Sequence, residues 1–176
     1  MSSFVERVIG ASKLDAHIYE EVEHDRTAMA QAMTVVVLSA LAAGIGSLRG
    51  GFGGLVGVSV AALIGWFIWG WLTYLIGTKL LPEANTKADP GELLRTIGFS
   101  AAPGVLRIFG FVPLLGGLVS FAASIWMLVA MVVAVRQALD YSSTRRAVGV
   151  CVIGWLVYVV FFAVIAMAFG TGGAAG

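Results

Sequence analysis

Both histidines of this 176-residue chain, His17 and His24, lie within its first 24 residues. Together with Glu20 and Glu21 they have i,i+3 and i,i+4 spacing, which puts all four on one face of a helix. Glu21-Val22-Glu23-His24 matches the Glu-x-x-His unit of di-metal helix bundles. Such a site needs further carboxylates from other helices, and the apolar runs that follow carry none. The better reading is a solvated polar face, and neither a metal nor a cofactor is expected. Arg107 is the one ionisable residue well inside an apolar run. A charge at that depth is a functional hypothesis by default, as part of a substrate path, although a long side chain can also snorkel to the outer surface. Arg136 and Asp140 lie one helical turn apart at the inner end of another run. They are expected to pair with each other, or with Arg95 or Glu92, and to anchor helix ends. Gly57-Val58-Ser59-Val60-Ala61 resembles a serine elbow but has no histidine within reach, and the chain contains neither GxxxxGK[ST] nor HExxH. No catalytic residues are assigned, and an enzyme is not expected.

The elements that position these residues follow from composition. Hydrophobic residues make up 59% of the chain and charged ones 12%, and mean hydropathy is +0.94. Soluble domains carry about 25% charged residues. The balance excludes a soluble globular enzyme, a disordered segment and a free nucleic-acid-binding domain. Five apolar runs stand out: residues 28–47, 55–76, 93–111, 114–135 and 147–169. Each is close to the roughly 20 residues a helix needs to cross a bilayer. None alternates with period 2, so a β-barrel is not expected. Only the third run holds charges, Arg95 and Arg107. The reading is five spans, with four spans and a re-entrant third run as the alternative.

Orientation follows from where the basic residues fall. Arg7, Lys13, Arg26, Lys79, Lys87, Arg95, Arg136, Arg145 and Arg146 share one side with all ten acidic residues, leaving Arg49 and Arg107 opposite. This predicts an all-α integral membrane protein, N-in and C-out. Its parts are an amphipathic cytoplasmic-side helical segment (1–27), a five-helix transmembrane domain (28–169) and a Gly/Ala-rich tail (170–176). The polar segment before the first run, with six acidic residues, does not read as a signal peptide.

Within residues 3–26, Phe4, Val8, Ala11, Leu14, Ile18, Tyr19 and Val22 fall on one helical arc. Ser3/Glu6 and Ser12/Asp15 both fit capping boxes, and Gly10 can end a helix. The expectation is two short helices joined near Gly10-Ala11. They lie along the inner membrane surface or pack on the chain's own spans or a partner. Asp89-Pro90-Gly91-Glu92 is a helix start. Pro103 then falls mid-helix, where it removes a hydrogen bond and kinks the axis. Pro113 marks a tight turn before the fourth run. Glycines 50, 53, 54 and 57 form two small-xxx-small pairs that permit close helix contact.

The stretch Glu92–Leu106, with Phe111-Val112-Pro113-Leu114-Leu115-Gly116-Gly117, Ile125-Trp126 and Ala134–Tyr141, resembles the bacterial branch of the Yip domain family. The resemblance is best over residues 92–158. It implies five membrane helices with an inward N-terminus. Eukaryotic members associate with Rab-type GTPases and with each other through a longer cytosolic region, and here only residues 1–27 precede the first run. No catalytic residue maps from the family. The expected function is that of a non-enzymatic, multi-pass protein of the bacterial inner membrane, organising membrane or serving as a subunit of a membrane complex. Its expected partners are the lipid bilayer and a second copy or other membrane subunits, with no nucleic acid. The alternative is a small transporter or a lipid or ion permeation protein using the Pro103/Pro113 hairpin.

Overall fold

The structure is a computed structural model in which residues 2–46 and 52–170 are described. The described residues form α1 (Phe4–Ser12), α2 (Ala16–His24), α3 (Ala28–Gly46), α4 (Phe52–Leu75), α5 (Pro90–Ser100), α6 (Gly116–Ala138) and α7 (Thr144–Gly170), with no strand among them. A π-helical turn, Ile76–Leu80, extends α4, and a 3₁₀ helix, Ala102–Phe111, follows α5. Among the described residues, four helices are long and apolar enough to cross a membrane: Ala28–Gly46, Leu55–Leu80, Gly116–Ala138 and Thr144–Phe161. Arg49 and Gly50 lie outside the described residues.

Local chemistry starts the helices where the sequence places the caps. The Ser3 hydroxyl accepts from the Glu6 N–H at 3.3 Å, and the Glu6 carboxylate accepts from the Ser3 N–H at 2.7 Å. Asp89 accepts from the N–H groups of Gly91 and Glu92, and Glu92 returns the bond to Asp89. The joint between α1 and α2, however, lies at Lys13–Asp15, not at Gly10-Ala11. The Asp15 N–H donates to the Gly10 carbonyl and the Leu14 N–H to Ala11. That is a Schellman closure with Leu14 at φ 63°, a position glycine usually takes. Gly10 is needed for a different reason: a Cβ there would stand 2.5 Å from Ile18 Cγ1, so its absence lets α2 close on α1. Asp15 caps α2 through the His17 N–H, while Ser12 donates back to Val8, so the second capping box does not form.

The third apolar run is two helices. Pro103 has no N–H for the Phe99 carbonyl, so α5 ends at Ser100 and the chain continues as 3₁₀ helix. The broken run still follows α3 along its length. Gly98 lies against Ala32, Gly104 against Ser39, and the Arg107 carbonyl and Gly110 against Gly46, each contact closed tightly enough to leave no room for a Cβ. The run then turns at Pro113 and Leu114, the latter at φ 68°. Helix α6 starts at Gly116 against Gly110 and passes Met127 beside Gly104 on its way back. The third run therefore follows α3 to its far end.

Residues Leu93–Ser100 of α5 are all buried, enclosed by α3, α4, α6 and the N-terminal pair. The pair does not lie flat on a surface. The Trp126 indole N–H, midway along α6, donates to the Ser12 carbonyl at 2.8 Å, and Gln137, at the end of α6, donates to Glu20 at 2.9 Å. Those two anchor points are separated by roughly 16 Å of helix. Ala11, Tyr19 and Val22 enter one buried cluster with Ala28, Ala32, Val35, Phe99 and Ala134, and Phe4, Val8 and Ile18 pack on it. Elsewhere the long helices present apolar side chains outward: Ile64 and Phe67 of α4, Phe121 and Leu128 of α6, Trp155 and Val160 of α7.

Candidate functional site

The end of the bundle where α3 starts and α6 stops is tied by polar contacts. Arg7 is 2% exposed. Its guanidinium reaches Glu21 at 2.8 Å, Asp25 at 2.7 Å and the Gln31 side-chain oxygen at 3.0 Å, linking α1, α2 and α3. Glu21 also accepts from the Ser2 N–H and hydroxyl, and Asp25 from the Thr27 N–H and hydroxyl. Hydrogen bonds from Ser2 and Arg7 hold the Glu21 carboxyl down at about 2. Those from Thr27 and Arg7 hold Asp25 at about 2. Arg95, also buried, donates to the Val22 and Glu23 carbonyls and so closes the C-terminal end of α2, where a cation suits the helix dipole.

The four candidate metal ligands line one open hollow with Asp25, as their spacing implies, but several are engaged singly. Glu21 binds Arg7, Glu20 binds Gln137, and His24 Nδ1 lies 2.8 Å from the Glu20 carbonyl. Among the described residues no group of three or more His, Cys, Asp or Glu is placed to hold a metal ion. Arg136 and Asp140 do not form an ion pair. Arg136 reaches the Tyr141 and Ser142 carbonyls and the Thr144 hydroxyl. Asp140 lies past the end of α6 at φ 51°, within a Schellman turn closed by Tyr141 N–H to Arg136 and Asp140 N–H to Gln137. The helix stops before its carboxylate can sit one turn above Arg136. The α6–α7 turn is held by a partner sequence spacing did not reveal: Tyr141 Oη lies 2.9 Å from the Gly77 carbonyl and 2.8 Å from that of Leu81, where α4 loosens into its π turn.

Deeper in the bundle the polar contacts thin out. Arg107 is half-buried, and its guanidinium donates to the Ser124 hydroxyl at 2.9 Å. Ser124 is eight residues into α6, roughly 12 Å from the helix start. The side chain therefore reaches sideways into the bundle instead of running out along α6. A cavity of 310 Å³ opens beside it, lined by Ser39, Trp66, Trp69, Ser100, Met131 and Tyr158 among others. On its other side Arg107 lines a second hollow of 360 Å³ with Gly46, Gly110, Gly116, Ser120 and Ser124. Trp66 donates its indole N–H to the Leu94 carbonyl. The Trp69 indole N–H is buried and has no partner among the described residues. Pro103 is buried at the α5 break, which sets the path of the segment carrying Arg107. Ser59 of the elbow-like stretch donates back to the Leu55 carbonyl.

The Yip1 domain profile matches residues 16–166. The chain belongs to the Yip1 domain family. No curated protein and no solved structure shows significant similarity to it. The matched part of this Yip1-domain chain runs from α2 into α7 and includes Pro103, Arg107, Pro113, Arg136 and Asp140, while α1 with Arg7 precedes it.

The Yip1 domain also holds a buried acid that spacing did not single out. Glu23 is 5% exposed and lines an inner hollow with Glu20, His24, Arg136, Gln137 and Asp140. Burial pushes its carboxyl up to about 7, against the pull of His24 and with help from Asp140 and Glu92.

Proposed function

We propose that this Yip1-domain chain is a five-span protein of the bacterial inner membrane, N-in and C-out, that works without catalysis through contacts with lipid and with other membrane subunits or a second copy. The arrangement has residues 1–27 as a cytoplasmic-side helix pair docked on a transmembrane unit of residues 28–169. One observation carries the reading. Among the described residues, the charged anchors Arg7, Glu21, Asp25, Arg95 and Arg136 gather toward the end of the bundle where α3 starts and α6 stops, while α4, α6 and α7 present apolar side chains outward. The path of the third run to the far end of α3 supports a fifth crossing. Chemical crosslinking in native membranes, followed by purification in mild detergent, tests the contact-based role. An oligomer or a larger complex is expected, and a clean monomer with no crosslinked partner counts against it.

A second reading has its own observation. Arg107 stands between two hollows, one inside the bundle and one toward the start of α6, beside a helix broken at Pro103. Such broken helices line substrate paths in transporters. Reconstituted liposomes test this reading. Flux that falls in Arg107→Ala and Pro103→Ala supports permeation, and absence of flux removes it.

A further inference from the structure

We propose that the cavity beside Arg107 takes the anionic phosphate headgroup of a membrane lipid, with an acyl chain lying in the groove between α4 and α7. The proposal adds a ligand to the contact-based reading and does not depend on it.

The cavity is faced by donors with too few acceptors. A guanidinium presents five N–H donors in a fixed fork, and the bond from Arg107 to Ser124 uses one. Ser124 is neutral and already donates its own hydroxyl hydrogen to Ser120. No carboxylate lies in any of the apolar runs to balance the charge. The second unpartnered donor, the Trp69 indole N–H, belongs to a residue lining the same cavity. Both groups seek an acceptor, and one of them seeks a negative charge. A phosphate offers several anionic oxygens, and arginine forks bind it bidentately.

The surroundings select a lipid over a soluble anion. The cavity wall is mostly apolar, and a groove of 570 Å³ lined by Ala61, Ile64, Ile68, Leu72, Val157 and Phe161 lies beside it. Gly65 and Tyr158 line both spaces, so they adjoin. A hydrocarbon chain in the groove would lie against the exposed apolar side chains of α4 and α7, next to the cavity. Gly65 has open space where a Cβ would be, which leaves the passage clear. Basic pockets between membrane helices bind lipid headgroups by this combination of charge and apolar wall.

The test is native mass spectrometry of the full chain in mild detergent, titrated with phosphatidylglycerol, phosphatidylcholine or sodium phosphate. Wild type should retain one phosphatidylglycerol about tenfold more tightly than phosphatidylcholine, and Arg107→Gln should erase that preference. Trp69→Phe keeps the ring and removes the N–H, so it should weaken retention by a few-fold, roughly one hydrogen bond's worth. Gly65→Leu fills the open passage and should reduce retention of both lipids while leaving the fold intact. Together these two variants decide the matter even if Arg107→Gln unfolds. Equal retention of the two lipids, or retention indifferent to Trp69→Phe and Gly65→Leu, overturns the proposal. Competition by sodium phosphate as strong as that by the lipid overturns it too, because it makes the site one for a soluble anion. Crosslinking decides the contact-based role separately, so either idea can fail alone.

Discussion

Arg7 and Arg107 are both drawn away from water, and they are treated in opposite ways. Around Arg7 two carboxylates and an amide meet the guanidinium, and each carboxylate is bonded again by Ser2 or Thr27. Around Arg107, among the described residues, the hydrogen-bond partner is one neutral hydroxyl, and a cavity opens beside it. The first arrangement uses charge to join α1 and α2 to the start of α3. The second leaves charge available. The difference teaches that the end where α3 starts is built for cohesion, whereas the opposite half of the bundle keeps a charge in reserve.

Breaking the Arg7 cluster should have the largest effect. Arg7→Met strands Glu21 and Asp25 without their cation, and removing one partner of a buried pair costs about 3–5 kcal/mol. Chemical denaturation in detergent should show that loss, together with protease cleavage within residues 1–27. Arg107→Met should have the opposite sign or none, within about 1 kcal/mol, because it removes a charge with no ionic partner. Equal losses in the two variants would erase the comparison.

Acid sharpens it further. Glu21 and Asp25 sit below their ordinary values in the folded chain, so their stabilisation is whole above about pH 4.5 and drains away as pH falls toward 2. On the order of 2 kcal/mol from each is lost in that window. Glu23 runs the other way. Its folded value near 7 means stability falls as pH rises from about 4.5 to 7, and Glu23→Gln should flatten that slope. Denaturation midpoints between pH 3 and 8 for wild type and Glu23→Gln check both signs.

The smallest effect concerns Asp140. Glycine suits φ 51° better than aspartate does, so Asp140→Gly should raise stability by about 0.5–1 kcal/mol. A loss of stability would restore an anchoring role for that carboxylate.

Much of the scaffold was legible in the residues themselves. The Ser3/Glu6 and Asp89/Glu92 caps are local, and so is the break at Pro103, because a missing N–H acts on its own helix. The apolar face of residues 4–22 was legible as a pattern, though not what it covers. The Arg7 cluster was not legible, since Glu21, Asp25 and Gln31 reach Arg7 only once α1 folds back on α2 and both dock on α3. The joint at Leu14 was missed for a related reason: Gly10 looked like a helix stop when it serves close packing against Ile18. Membership of the Yip1 family could be read from residues 92–141. The unpartnered indole of Trp69 could not, because nothing in a run of apolar residues marks which tryptophan finds a carbonyl.

The anchors of the N-terminal pair carry a consequence for how the protein is made. Residues 1–27 are made before Arg95, Trp126 and Gln137, which hold them in the folded chain. Their apolar face can meet α3 early, but its cover by Phe99 and Ala134 waits until α5 and α6 exist. Docking of the pair is therefore completed only after α6 has been made.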